Sequence, residues 1–193
     1  MSQLNFIPFP ILSTGRLILR QLEPADENEI FAIRTNELVN RFLDRDKPET
    51  VDHAREFIDR INQGITKNES IYWGITQKDD PKVIGTICYW NLRKEKGIAE
   101  LGFELHPVSQ GKGIMREAFP KVLEYGFKNM HLKSIEGYVH IDNEKSGKLL
   151  REFHFKKSIN LENKTNEKEV VYVLTNSGNK SEVGDRRSEV RSP

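Results

Sequence analysis

Gln110-Gly111-Lys112-Gly113-Ile114-Met115 joins an alternating apolar strand to an amphipathic helical pattern, and a glycine-flanked turn at that junction suits an anion. The backbone N–H groups of such a turn converge at the positive end of the helix, where phosphate oxygens are favoured. Lysine and glycine also gather in ordinary surface turns, so context has to decide. A Walker loop ends in Gly-Lys-Ser/Thr, which Gly113-Ile114-Met115 breaks, and a dinucleotide fingerprint needs a third glycine where Arg116 stands.

Two carboxylates precede the turn. In Ala99 to Leu105, period two places Glu100, Gly102 and Glu104 on one face and Leu101, Phe103 and Leu105 on the other. Paired acids are candidates for proton transfer, although a solvated strand face accounts for them equally well. After the turn, Asn143-Glu-Lys-Ser146 opens a short helical pattern, and Asn143 is a natural N-cap for the Ser146 N–H. The five histidines, His53, His106, His131, His140 and His154, are scattered without a matching Cys or acid spacing, so no metal is expected. Cys88 lies in an apolar strand and reads as core.

The elements that must position these groups follow from periodicity. Arg16 to Leu22 reads as a strand, and Pro24 opens a helix that carries apolar positions up to Phe42. Thr50 precedes a second helix with Val51, Ala54, Ile58 and Ile61 on one stripe. Strands over 71–76, 83–91 and 98–105 form an antiparallel meander, since their connections are short. Met115, Ala118, Phe119, Val122, Leu123, Gly126, Phe127 and Met130 mark a core-facing helix, with Pro120 expected to kink it. A strand over 134–140, a helix over 144–152 and strands over 155–161 and 168–175 complete a mixed α/β (α+β) chain. Its sheet is mostly antiparallel, with six to seven strands and about four helices on its faces.

A length of 193 residues suits one domain, expected over 11–176, with residues 1–10 as a tail and 177–193 as a disordered tail. Lys+Arg 30 against Asp+Glu 29 leaves a net charge of only +1, so no global footprint points to nucleic acid or membrane. One cysteine, no long apolar run and no basic n-region make the cytoplasm the expected address. Trp73, Tyr89 and Trp90 are expected to pack the sheet or line an acceptor pocket, because no basic stripe accompanies them.

The pattern Gln110-x-x-Gly113-x-Met115 resembles the pyrophosphate loop, Gln/Arg-x-x-Gly-x-Gly/Ala, of the GNAT superfamily of acetyl-CoA-dependent N-acetyltransferases. Met115 departs from the small sixth residue. The branch that acetylates N-termini of ribosomal proteins is closer: it shares Thr14-Gly-Arg-Leu-Ile-Leu-Arg20, Val83-Ile-Gly-Thr-Ile87 and a Gly-Lys-Gly-aliphatic-Met-x-Glu-Ala turn, and the resemblance spans about Ser13 to Thr175. It implies acetyl-CoA as co-substrate, no metal, and an amine acceptor that is a protein N-terminus or a small molecule, on a monomer or homodimer. It implies that the fourth and fifth strands, 98–105 and 134–140, splay to admit pantetheine. Phe103, Leu105, Gln110, Gly111, Lys112, Gly113, Ile114, Met115 and Asn143 would then contact the acyl-CoA, with a backbone N–H near Leu105 facing the thioester oxygen. Glu100 would be the base, directly or through water, in preference to Glu104. The family's tyrosine acid falls at Leu150, which leaves Ser146 as the nearest hydroxyl for the thiolate, and His154 stands where the family has glycine.

The acceptor's chemistry sets how much help it needs. An α-amine with pKa about 7.7–8.0 is roughly 10–20% neutral at pH 7, whereas lysine is neutral on the order of 0.04%. General-base assistance is worth about 10²–10⁴-fold. Direct attack by the amine leaves Cys88 without a role as acyl carrier. A non-catalytic acyl-CoA-binding or ribosome-associated module is the alternative that the missing tyrosine keeps open.

Overall fold

The computed structural model describes residues 4–158 and 168–176. Eight strands form one sheet: β1 (Leu12–Ser13), β2 (Leu17–Arg20), β3 (Ile71–Gln77), β4 (Asp80–Arg93), β5 (Ile98–Leu105), β6 (Ser134–His140), β7 (Lys156–Lys157) and β8 (Glu169–Thr175). Their spatial order is β1-β2-β3-β4-β5-β6-β8-β7. The count exceeds the six to seven expected because β1 is a two-residue ladder, too short to leave a periodic signature; β7 lies at the start of the strand expected over 155–161. Every pairing is antiparallel except β5 with β6.

The helices α1 (Glu27–Thr35), α2 (Glu37–Asn40) and α3 (Val51–Thr66) sit in the first half, and α4 (Ile114–Lys128) and α5 (Glu144–Glu152) in the second. Asn36 ends α1 in extended backbone and caps α2 through its side chain, which is why the single helix expected up to Phe42 is two. Thr50 caps α3 by accepting the His53 N–H. The apolar stripe of α3 (Ala54, Phe57, Ile58) meets Ile30 and Ile33 of α1 over one sheet face, with Leu22 and Val83. On the other face Met115, Ala118, Phe119 and Val122 of α4 pack on Leu19, Trp73, Ile87, Tyr89 and Leu101. Burial of these side chains at roughly 25 cal/mol per Å² of apolar surface is the main force joining helices to sheet.

Three local details bear on the sequence reading. Pro120 does not interrupt α4, which is continuous from Ile114 to Lys128, and the proline is exposed. Residues 4–10 are not a free tail. Phe6 is buried in the main core, its N–H bonds to Asn68 Oδ1 at 2.8 Å, and the Trp73 indole donates to the Pro10 carbonyl at 2.8 Å. Two prolines and the lack of a period hide that anchoring. His154 takes φ 64° after α5, a conformation glycine adopts more cheaply; its N–H bonds to Arg151 O and that of Phe155 to Leu150 O, closing the helix. The expected tail over 177–193 and the end of the strand expected over 155–161, from 159 on, lie outside the described residues. No helix among the described residues is long and apolar enough to cross a membrane.

Candidate active site

The ladder between β5 and β6 runs from Ile98↔Ser134 to Glu100↔Glu136 and stops there. Beyond it β5 pairs only with β4, and β6 only with β8, so the two strands part and leave a cleft between their edges. The splay expected between 98–105 and 134–140 is therefore present, and its apex is at Glu100.

The cleft leads to the turn. Gly111 and Gly113 have φ 76° and 77°, in the region that favours glycine, and a Cβ on Gly111 would meet nothing within 4 Å. Gly113 is the N-cap of α4, and the Glu117 N–H is bonded to its carbonyl at 3.0 Å. The N–H groups of Ile114, Met115 and Arg116 precede that bond and have no acceptor within the helix. The side chains of Ile114 and Met115 are buried in the core, so the part of these two residues that can meet an anion is the backbone. Met115, which stands where the resembled loop has a small residue, points its side chain into the core. The Gln110 amide donates to the Leu105 carbonyl at 3.1 Å, which fixes the turn to the end of β5. Open space over Gly111 and free N–H groups at a helix start are what a diphosphate requires, so the residues present fit a CoA thioester. Phe103 turns to the α4 face with its ring 5.0 Å from Phe119, and the partly buried Leu105 packs on the same core.

The two acids of β5 differ in environment. Glu104 Oε2 lies 2.7 Å from Arg45 Nη2, its Oε1 accepts from the Thr86 hydroxyl at 3.3 Å, and its side chain is 7% exposed. It is engaged as a charge partner. Among the described residues the Glu100 side chain has a single hydrogen bond, a long one of 3.5 Å from Asn91. Burial pushes its carboxyl up to about 7; the Asn91 amide acts against this, the charges of Glu169 and Glu136 add to it, and Arg93 lowers it. A carboxyl poised near neutrality at the apex of a cleft suits proton transfer.

The segment after α2 bridges the two parted strands. Arg45 reaches Glu104 on β5, and the Phe42 ring stacks on His140 of β6 at 5.4 Å, so one loop touches both parted strands. α3 extends to Thr66, so only residues 67–70 connect it to β3. Trp73 and Tyr89 belong to the core; Trp90, opposite Glu100 in register, is 48% exposed.

Asn143 caps α5, its Oδ1 accepting the Ser146 N–H at 3.2 Å, and Ser146 is half-buried. Leu150 is fully buried beneath Gly137, so no hydroxyl stands at the position of the family's tyrosine. A cleft of about 490 Å³ borders the same corner, lined by His140, Asn143, Lys145, Lys148, Arg151 and Tyr172 among others. Burial drives the Cys88 thiol far above its ordinary range, which removes it as a nucleophile at neutral pH. Among the described residues no three His, Cys, Asp or Glu side chains gather as a metal site.

Sequence reasoning did not find a contact beneath the turn. Thr14 Oγ1 donates to Glu117 Oε1 at 2.5 Å and Arg16 Nε to Glu117 Oε2 at 2.6 Å, while Arg16 Nη2 reaches the Lys112 carbonyl at 3.3 Å. Both halves of the contact lie in quoted motifs, Thr14-Gly-Arg16 and the turn's Glu-Ala, but periodicity does not relate them.

Comparison with known proteins agrees with this geometry. YoaA of Bacillus subtilis, an uncharacterized N-acetyltransferase, is 36% identical over 149 residues, which is 77% of this chain and 84% of YoaA. The [ribosomal protein uS5]-alanine N-acetyltransferase of Escherichia coli is 29% identical over 98 residues, half of each chain. The structure of RimL, a ribosomal L7/L12 α-N-protein acetyltransferase in complex with coenzyme A, superposes with a TM-score of 0.75 at 14% identity, over 86% of this chain and 98% of that one. An acetyltransferase (GNAT family) from Bacillus anthracis gives 0.72 at 19% identity, over 86% and 98%. Residues 16–156, from the arginine under the turn to the strand after α5, match the acetyltransferase (GNAT) domain. With that match and the parted strands leading to a glycine turn, the chain belongs to the GNAT family of N-acetyltransferases, which use acetyl-CoA to acetylate amines.

Proposed function

We propose that the protein acetylates a primary amine by direct attack, with Glu100 as the base and the Gln110–Met115 turn as the seat of the CoA diphosphate. The observation that carries the reading is the position of Glu100, at the last rung before β5 and β6 part and with its carboxyl raised to about 7. When bound, acetyl-CoA supplies an activated acetyl thioester. The free N–H groups of the turn bind the diphosphate, and the unpaired edge of β5 near Leu105 offers a backbone donor to the thioester oxygen. Glu100 takes a proton from the amine, directly or through one water. Ser146, the nearest hydroxyl in α5, is assigned to the departing thiolate, and Asn143 holds the start of that helix beside the cleft.

A protein N-terminus is the favoured acceptor. An α-amine needs only modest deprotonation, which a carboxyl of pKa about 7 can provide, and two of the proteins named above act, by their names, on an alanine of ribosomal protein uS5 and as an α-N-protein acetyltransferase of ribosomal L7/L12. A cytoplasmic site of action goes with this reading, and the lone Cys88 needs no oxidising compartment. The test is a set of initial rates on peptides with free α-amines, a lysine peptide with a blocked N-terminus, a polyamine and an amino sugar. The α-amine peptides are expected to lead; a lead by any small amine overturns the acceptor assignment.

A further inference from the structure

We propose that Glu136 is a positioning residue for Glu100: by holding the Arg93 guanidinium, it keeps that cation from closing onto the Glu100 carboxylate. The inference rests on Glu100 being the base. Its geometry begins with a bulge in β4. Trp90 pairs with Glu100 but Arg93 pairs with Ile98, so one extra residue is inserted between these rungs, and Asn91 takes φ 47°. Strict alternation would send Arg93 to the face opposite Trp90. The insertion returns it to the face that carries Ile98 and Glu100.

An arginine on the same face one pleat away is a natural partner for Glu100, and such a pair would hold the carboxylate too weakly basic to deprotonate an amine. The pair does not form. Arg93 Nη2 instead donates to Glu136 Oε2, and the Tyr138 hydroxyl donates to the same oxygen at 2.8 Å. Glu136 stands beside Glu100 at the last rung of the β5–β6 ladder and is 4% exposed. The groups acting on Glu100 are Asn91 and Arg93 from β4, Glu136 and Tyr138 from β6, and Glu169 from β8. Arg93 has the smallest effect of the five causes that set its proton affinity. A guanidinium free to move would do far more.

The test follows the Glu100 carboxyl by ¹³C NMR titration in glutamate-labelled protein, its resonance assigned by its loss in Glu100→Gln. In Glu136→Gln the Glu100 midpoint is expected to fall by roughly one pH unit, as Arg93 turns to it and a neighbouring negative charge is lost. In Arg93→Gln it is expected to rise. An unchanged midpoint in Glu136→Gln, or a fall in both variants, overturns the proposal. If Glu136→Gln does not fold, the rise in Arg93→Gln becomes the deciding result, and its absence overturns the proposal equally. The acid limb of kcat/KM separates this from the assignment of the base. A limb that moves with the NMR midpoint supports both, whereas a midpoint that moves under a fixed limb keeps the Arg93 restraint and refutes Glu100 as base.

Discussion

Arg16 and Glu117, 101 residues apart in the chain, are joined at 2.6 Å directly beneath the glycine turn. The Arg16 backbone N–H donates to the same carboxylate at 2.7 Å, and its guanidinium also reaches the Lys112 carbonyl. The end of β1, the start of β2 and the first turn of α4 are thereby fixed to one another, and the turn's N–H groups are held in place before any anion arrives. Such preorganisation reduces the ordering that binding would otherwise require.

Glu117 makes this contact sensitive to acid. The Thr14 hydroxyl, then the Arg16 backbone and guanidinium, hold its carboxyl down to about 2. A depressed folded value gives stability that is present above the unfolded pKa of about 4.3 and is lost as pH falls toward 2. Wild type is expected to exceed Glu117→Gln in thermal midpoint at pH 7, and the gap should close on titration below pH 4.5. A constant gap from pH 7 to pH 2 would contradict it.

Gly111 and Gly113 separate backbone strain from ligand contact. Alanine at Gly111 meets open space, so its cost to folding is that of the left-handed backbone, about 1–2 kcal/mol, while its methyl enters the region assigned to the diphosphate. Gly111→Asp adds a carboxylate there and is expected to weaken CoA binding by tenfold or more, whereas a Cβ on Gly113 faces Arg16 Nη2 at 3.6 Å and carries only the backbone strain. Calorimetric titration with CoA checks this; an affinity equal to wild type in folded Gly111→Asp removes the turn from the site.

Glu100→Gln is expected to lower kcat/KM by about 10²–10⁴-fold and to abolish the acid limb near pH 7. The loss should be larger for a high-pKa amine than for an α-amine. The same variant should be the more stable protein in mild alkali, because a carboxyl whose folded pKa is raised costs stability above its unfolded value; partial exposure keeps this on the order of 1 kcal/mol. Thermal melts at pH 5 and pH 8 measure it, with a clearly larger gain at pH 8 as the expected result.

Glu104→Gln has the opposite profile. It leaves Arg45 without its carboxylate in a mostly buried setting, and the folded state is expected to lose about 3 kcal/mol. The acid limb of the rate profile should stay near pH 7, since Glu100 is untouched. Urea melts and the pH profile of one preparation test both halves.

The difference between these two acids is also where sequence reading stops. Alternation in 98–105 put Glu100 and Glu104 on one face, and the helix start after Gly113 was plain from its apolar spacing, because both signals are local. What distinguishes Glu100 from Glu104 comes from Arg45, in an aperiodic loop, and from a one-residue bulge at Asn91 that local pattern does not announce. Phe6 escaped notice for a like reason: its partners, Asn68 and the main core, are distant in the chain. Asn143 was legible as a cap, and the cap is present at 3.2 Å.

The central claim is acetyl transfer from CoA to an amine. Its most direct measurement follows free CoA thiol and acetylated peptide together in one reaction of the purified protein, acetyl-CoA and a peptide with a free α-amine. Thiol and acetyl-peptide are expected to appear in equal amounts, with the protein itself unmodified at Cys88. Binding of acetyl-CoA without acetylation of any peptide or small amine would contradict the account, and would identify a CoA-binding module in its place.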